Sequence, residues 1–226
     1  MSLFQNLTNR KVQIAEGPIA AACAPVWPEE EPAIANAVPS RKEEFAAGRS
    51  FARQAMASLG VTEVPLPAGP DRVPIWPKGI VGSITHTATY AAAAAGRVLD
   101  GIVAVGIDLE PIGDLDREIW PVVLTQAEQD WVRRHPSEDH GLLAKLHFSA
   151  KESAFKCQFT LSKQMLEFED FEIALDMEHK RFTAGFVRDC RQFRAGFVLN
   201  GAFCTQSGLI ATAMALGDDV LAELAM

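Results

Sequence analysis

The sequence predicts an α+β protein of two related halves, because each half contains one prominent helix pattern and several strand patterns. Apolar residues recur at helical spacing after Ser40 and again after Gly141, whereas residues 168–216 alternate apolar and polar side chains between glycine-containing turns. We expect an N-terminal half at residues 1–106 and a C-terminal half at 107–226. A chain of 226 residues is long enough for each half to bury a core of its own.

The N-terminal half is expected to contain one helix followed by two strands. Ser40 and Glu43 have the spacing of a capping box, and the helix that they would start ends at Gly60. After a loop rich in Pro and Gly, the segment IVGSITHT predicts a short strand. The next segment, YAAAAAG, has the composition of a helix but is short for one, so we expect a strand that forms a hairpin with IVAVGIDLE.

The C-terminal half is expected to begin with helices and to end in a sheet. Thr125 and Glu128 give a second capping-box pattern in TQAEQDWVRRH. The segment GLLAKLHFSAKESAFKCQF contains no helix breaker after Gly141 and predicts one long helix. The alternating tail predicts an antiparallel meander.

The net charge of −8 argues against a general nucleic-acid binder, which needs a basic surface. The charge is unevenly distributed along the chain. Residues 38–97 contain seven Lys and Arg against four Asp and Glu, whereas residues 98–140 contain three against ten. A basic segment followed by an acidic one suits an anionic ligand that arrives together with a metal ion.

Composition also indicates the compartment. Cys23, Cys157, Cys190 and Cys204 show no CxxC pair and no metal-ligand spacing, so we interpret them as reduced thiols. No stretch approaches the ~18 apolar residues that a membrane span requires. We therefore expect a cytoplasmic protein.

The predicted strand VAVGIDLE ends in two carboxylates on one face. Because side chains alternate along a strand, one face is apolar, with Val103, Val105, Ile107 and Leu109, and the other carries Ala104, Gly106, Asp108 and Glu110. Two carboxylates about 7 Å apart repel each other unless a cation lies between them. Mg²⁺ prefers one or two carboxylates together with water and phosphate oxygens. The pattern therefore indicates a metal site, with a solvated acidic strand end as the alternative.

The long helix carries a third carboxylate beside a cation. Glu152 and Lys156 are four residues apart and share one helix face. One interpretation is a surface ion pair. In the other, Glu152 is a metal ligand or a base, and Lys156 contacts a phosphate.

Four more candidates for anion binding lie in the N-terminal half. Arg41 and Arg49 lie ~12 Å apart along the predicted first helix, and both side chains are long enough to grip one phosphate. Lys78 and His86 are in loop-like segments, where ligand-binding residues are common; for His86 a structural role is the alternative. Together with three carboxylates, these cations indicate a polyphosphate substrate held with Mg²⁺.

Taken in order, these segments resemble the 4′-phosphopantetheinyl transferases of the Sfp/EntD type. The matching stretches are RKEEFAAGRSFARQAM, WPKGIVGSITHT, VGIDLE and FSAKESAFK, which lie between residues 41 and 156. The family pattern is G-[IV]-D with a Glu two positions on, followed further along by K-E-x-x-x-K. The blocks GSITHT and EFAAGR point to the enterobactin-synthetase branch.

The resemblance implies a pseudo-twofold fold and a monomeric enzyme that binds coenzyme A (CoA) in the cleft between the halves. Such enzymes use Mg²⁺ to transfer the phosphopantetheine arm of CoA to a serine of an acyl or peptidyl carrier protein. The implied residues are Asp108, Glu110 and Glu152 for the metal, Glu152 and Lys156 for catalysis, and Arg41, Arg49, Lys78, Thr85, His86 and Lys156 for CoA. Thr85 stands where many relatives have Ser. Ala104 and Gly106 are expected to leave room for the substrate.

Two other functions remain open on the residues alone. A Mg²⁺-dependent nuclease also groups Asp and Glu near a Lys, but commonly as E-x-K on a strand, whereas Glu152 and Lys156 are four apart on a predicted helix. A binding module for CoA or carrier proteins that has lost catalysis is the second alternative. The presence of every expected ligand argues against it.

Overall fold

The structure of the protein, a computed structural model, describes residues 2–22, 25–62 and 64–224 and has the expected mixture of helices and strands. The strands are β1 (Gln13–Pro18), β2 (Ile80–His86), β3 (Tyr90–Arg97), β4 (Ile102–Pro111), β5 (Phe171–Asp176), β6 (Arg181–Phe186), β7 (Val198–Gln206) and β8 (Leu209–Gly217). The helices are α1 (Pro39–Ser58), α2 (Trp120–Val123), α3 (Gln126–Arg133), α4 (His140–Ser162) and α5 (Asp219–Leu224). No helix in the described segments is long and apolar enough to cross a membrane.

The strands form two antiparallel sheets, one in the order β1-β3-β2 and one in the order β4-β8-β7-β6-β5. The tail is the predicted meander, and YAAAAAG is a strand as expected. The predicted hairpin between β3 and β4 is wrong. Both edges of β3 are already paired, with β1 and β2, and β4 pairs with β8 in the other sheet.

The alanine run of β3 is explained by burial on both faces. Ala91, Ala93 and Ala95 pack in the core beneath α1, while Ala92 and Ala94 pack in the core shared with β4 and β8. All five are completely buried. Small side chains on both faces allow a helix and a second sheet to approach the same strand closely.

The helix boundaries confirm one capping prediction and correct another. At α3, Thr125 Oγ1 accepts from the Glu128 amide (3.2 Å), and the Glu128 carboxylate accepts from the Thr125 amide (2.7 Å), so this capping box is confirmed. Ser40 does not cap α1. The helix begins at Pro39, whose fixed φ and missing N–H suit the first helical position.

Strand β4 departs from the expected alternation at its start. The register with β8 shifts between Ile102 and Ala104. Val103 therefore lies with Ala104 in the core that faces α4, and Ile102 takes its place beside Val105 in the core between the sheets. The bulge adds one residue on the same side of the strand.

Gly106 makes room for α4 and not for a substrate, which corrects the sequence-based expectation. A Cβ atom at this position would lie 1.9 Å from the Ser153 carbonyl oxygen and 2.7 Å from the Cys157 amide nitrogen. The helix backbone thus lies directly on the strand backbone. Ala104 is completely buried in the same core, against α4.

A buried ion pair fixes the rotation of α4 about its axis. Lys151 is 1% exposed, and its Nζ donates to Glu128 Oε2 (2.7 Å), to the Val123 carbonyl (2.9 Å) and to the Phe168 carbonyl (2.8 Å). Successive helix residues are about 100° apart. Because Lys151 is held by α2, α3 and the turn that precedes β5, the next residue, Glu152, points to a different side of the helix.

The expectation for the cysteines is tested in part, and the expected division of the chain is not tested. Cys157 and Cys190 are buried and Cys204 is half-buried, all as free thiols; Cys23 lies outside the described residues. The expected division of the chain at residue 107 falls within the continuous strand β4 and stays a prediction.

Gly106→Ala should destabilise the protein by about 3 kcal/mol or more, the upper range of overpacking effects, because backbone atoms of α4 block the new methyl group. Urea unfolding followed by circular dichroism measures the change. Gly185→Ala is the control, since a Cβ in β6 meets only the Glu172 oxygen at 3.8 Å. Equal effects of the two substitutions would contradict the close contact between β4 and α4.

Lys151→Ala should lower the free energy of unfolding by about 3–5 kcal/mol, because it leaves the Glu128 carboxylate buried without its cation. The same unfolding measurement applies. Lys42→Ala, an exposed lysine on α1, should change it by less than about 0.5 kcal/mol. A small effect at Lys151 would mean that the buried pair does not fix α4.

Candidate functional site

Asp108 lies at the centre of the predicted site, where β2, β4 and α4 meet. Its Oδ1 accepts hydrogen bonds from Lys156 Nζ (2.6 Å) and Thr85 Oγ1 (3.3 Å), and its Oδ2 accepts one from Ser149 Oγ (2.8 Å). Asp108 is 4% exposed. A buried charge requires such partners, and the three donors come from both halves of the chain.

Two hydroxyl groups of β2 join the sheets beside Asp108. Strand β4 is the edge of its sheet, and its outward amides have no strand partner. The Ile107 amide donates to Ser83 Oγ and the Leu109 amide to Thr85 Oγ1, both at 3.1 Å. Thr85, expected to contact CoA, therefore has its hydroxyl bonded to the strand and to Asp108, and the CoA contact stays a prediction.

Glu152 and Lys156 lie on the α4 face that points to Asp108. Lys156 Nζ is 3.9 Å from Glu152 Oε2, so the ammonium group lies between two carboxylates. Both side chains are about a quarter exposed. Burial raises the pKa of Glu152, and the Asp108 charge adds to the rise while Lys156 opposes it.

Glu110 brings a third carboxylate to the same region. Burial raises its pKa to about 7, and the Asp108 carboxylate adds to the shift. The described residues contain no group of three or more His, Cys, Asp or Glu close enough to hold a metal ion as they stand. Nevertheless, the donor set fits Mg²⁺, which needs oxygen atoms only and takes one or two carboxylates with phosphate and water.

A second cluster joins α1 to the end of β2. The Arg41 guanidinium donates to His86 Nε2 and lies 3.2 Å from Glu44 Oε2, which is 3.6 Å from His86 Nδ1. Burial and the Arg41 charge lower the pKa of His86, so the ring is neutral near pH 7 and can accept the bond. The structure thus brings two predicted CoA contacts together, and it adds Glu44.

Arg49 and Lys78 are not part of that cluster. Arg49 is buried, with its Nε bonded to the Leu66 carbonyl (2.6 Å) and its guanidinium 4.2 Å from the centre of the Phe45 ring. Desolvation by burial lowers its pKa to about 10. Lys78 is exposed on the turn before β2. Their contacts with CoA stay predictions.

A cleft of about 660 Å³ opens next to Lys156. One wall is the C-terminal part of α4, including Phe155 and Phe159, with Lys163 directly after it, and the other is β2 with residues 69–76. The cleft thus lies between residues 69–84 and residues 155–163 and is largely lined by apolar and aromatic side chains, with Lys156 as a cation in its wall.

Sequence reasoning missed two hydroxyls that surround Asp108. Ser149 precedes Glu152 by three positions, and this spacing places the two on one helix face. Thr212 is the residue of β8 opposite Asp108. Its position could not be found without knowing that β4 pairs with β8.

Two family models and several curated proteins match this chain. Residues 29–96 match the 4′-phosphopantetheinyl transferase N-terminal domain, and residues 104–201 match the 4′-phosphopantetheinyl transferase superfamily. The 4′-phosphopantetheinyl transferase Svp of Streptomyces mobaraensis is 37% identical over 84% of this chain and 78% of its own length. PptT of Mycobacterium tuberculosis is 37% identical over 84% and 85%. Enterobactin synthase component D of Escherichia coli (strain K12) is 31% identical over 70% and 77%.

Two family matches thus divide the chain near the beginning of β4, the strand that presents Asp108, and several relatives are more than 30% identical over most of their length. The chain belongs to the 4′-phosphopantetheinyl transferase superfamily.

Proposed function

We propose that this protein transfers the 4′-phosphopantetheine arm of CoA to a serine of an acyl or peptidyl carrier protein and releases adenosine 3′,5′-bisphosphate. The observation that carries the proposal is the group of Asp108, Glu152 and Lys156 beside the cleft. Relatives named as 4′-phosphopantetheinyl transferases support the same chemistry.

The reaction is an attack of a serine oxygen on the diphosphate of CoA, and negative charge grows on the phosphate oxygens. Lys156 supplies a fixed cation for that charge. Glu152 takes the proton of the serine hydroxyl, because a half-buried carboxylate with a raised pKa is a stronger base than an ordinary one. Mg²⁺, when bound by Asp108, Glu110 and Glu152, would neutralise the diphosphate.

The nucleotide end of CoA is assigned to the α1 and β2 cluster. Arg41 presents a guanidinium that is half exposed, and neutral His86 can donate to a phosphate through Nδ1. Arg49, Lys78 and Thr85 complete the proposed set around this end. The apolar cleft beside Phe155 and Phe159 is assigned to the pantetheine arm.

We expect the protein to work as a cytoplasmic monomer. Free thiols at Cys157, Cys190 and Cys204 suit a reducing compartment. The carrier protein is proposed to belong to a siderophore or polyketide pathway. The name of the enterobactin synthase relatives supports a siderophore pathway.

Glu152→Gln should lower the rate of transfer by about 100-fold or more, because an amide cannot take the serine proton. Mass spectrometry of an apo carrier protein incubated with enzyme, CoA and Mg²⁺ measures the gain of one phosphopantetheine. Glu138→Gln, on an exposed turn, should leave the rate unchanged. Wild-type protein that binds CoA but modifies none of several carriers would instead favour a binding module.

Arg41→Ala should raise the KM for CoA about tenfold or more, the effect of losing one charge-assisted hydrogen bond. The KM for 3′-dephospho-CoA should change little, because that substrate lacks the phosphate that Arg41 would hold. Lys42→Ala, the neighbouring exposed cation, is the control. An equal rise in KM for both substrates would show that Arg41 does not contact the 3′-phosphate of CoA.

A further inference from the structure

A chain of buried hydroxyl groups leads from β8 to Asp108. Thr212 Oγ1 lies 2.8 Å from the Ser149 carbonyl oxygen and 3.0 Å from Ser149 Oγ, which lies 2.8 Å from Asp108 Oδ2. Thr212 and Ser149 are both completely buried. Neither side chain lines the cleft, and neither can touch a substrate, because both lack exposed surface.

The direction of these hydrogen bonds follows from their chemistry. The Asp108 carboxylate can only accept, so the Ser149 hydroxyl must donate its hydrogen to Oδ2. The single hydroxyl hydrogen of Thr212 is donated to the Ser149 carbonyl oxygen, which ties β8 to the backbone of α4 at Ser149. Thr212 thereby fixes the position from which the Ser149 hydroxyl donates to Asp108.

Packing alone does not account for these hydroxyls. Thr212 lies in β8 between Ala211 and Ala213, which are buried in the core between the sheets, and an alanine or valine would fill its place without a polar atom. Burying a hydroxyl is unfavourable unless it is hydrogen-bonded. Here Thr212 bonds Ser149, and Ser149 in turn bonds one oxygen of the central carboxylate.

We propose that Ser149 and Thr212 are positioning residues that fix the rotation of the Asp108 carboxylate. With Oδ2 held by Ser149, Oδ1 is presented to Lys156 and to the metal ion expected beside it. This inference rests on the proposed function, because it assumes that Asp108 is a metal ligand and that the two hydroxyls orient it. Groups that orient a metal ligand typically change metal affinity 10–100-fold when they are removed.

Ser149→Ala should weaken metal binding about tenfold or more while the protein remains folded. The measurement is titration of Mn²⁺ into the full chain with CoA, with free Mn²⁺ read by electron paramagnetic resonance and without any carrier protein. The concentration of Mg²⁺ that gives half-maximal transfer should rise in parallel. Ser153→Ala is the matched control, because this buried serine of α4 bonds only the Ala150 carbonyl.

A second pair of variants separates orientation from packing. Thr212→Val keeps the shape of the side chain and removes the hydroxyl, so it should weaken Mn²⁺ binding. Thr212→Ser keeps the hydroxyl and should bind Mn²⁺ about as tightly as the wild type. Equal Mn²⁺ affinity in Ser149→Ala and Ser153→Ala, or no Mn²⁺ binding by the wild type with CoA, would overturn the inference. If the affinities follow the expected pattern but no carrier is modified, the proposed function fails while the positioning role stands.

Discussion

The backbone contact between β4 and α4 at Gly106 is the constraint on which the rest of the site depends. Without a side chain between them, the helix carbonyl of Ser153 approaches the strand closely. Asp108 follows on the same face of the strand, so Ser149 and Lys156 of α4 lie within hydrogen-bond distance of it. The ion pair of Lys151 and Glu128 then fixes the rotation of α4, and Glu152 and Lys156 face the carboxylate. The arrangement of the site therefore depends on the Gly106 contact and on the Lys151–Glu128 ion pair, both of which are buried.

The site also requires that the two sheets and α1 pack closely together around β3. Strand β3 satisfies this requirement by carrying alanine on both faces, which lets α1 and the larger sheet pack against one layer of backbone. Strand β2 lies beside β3 and brings Thr85 to Asp108 and His86 to Arg41. The strand thus links the carboxylate cluster to the cationic cluster. A CoA molecule that reached from one to the other would contact both halves.

Much of the site could be predicted from the sequence, because its key spacings are local. Two positions along a strand placed Asp108 and Glu110 on one face, and four positions along a helix did the same for Glu152 and Lys156. The errors concern contacts between distant segments. The pairing of β4 with β8 and the role of Gly106 depend on what packs against the strand, and no short pattern contains that information. The cap at Ser40 failed for a local reason, since Pro39 already starts the helix.

The hydroxyls of Ser83 and Thr85 also cover amides at the edge of a sheet. Unpaired amides along the edge of a sheet can recruit a strand from another molecule, which is a common route to aggregation. In β4 the outward amides of Ile107 and Leu109 are bonded to these hydroxyls and covered by β2. The edge that carries Asp108 is thereby covered, although it remains an edge in the hydrogen-bonding order of its sheet.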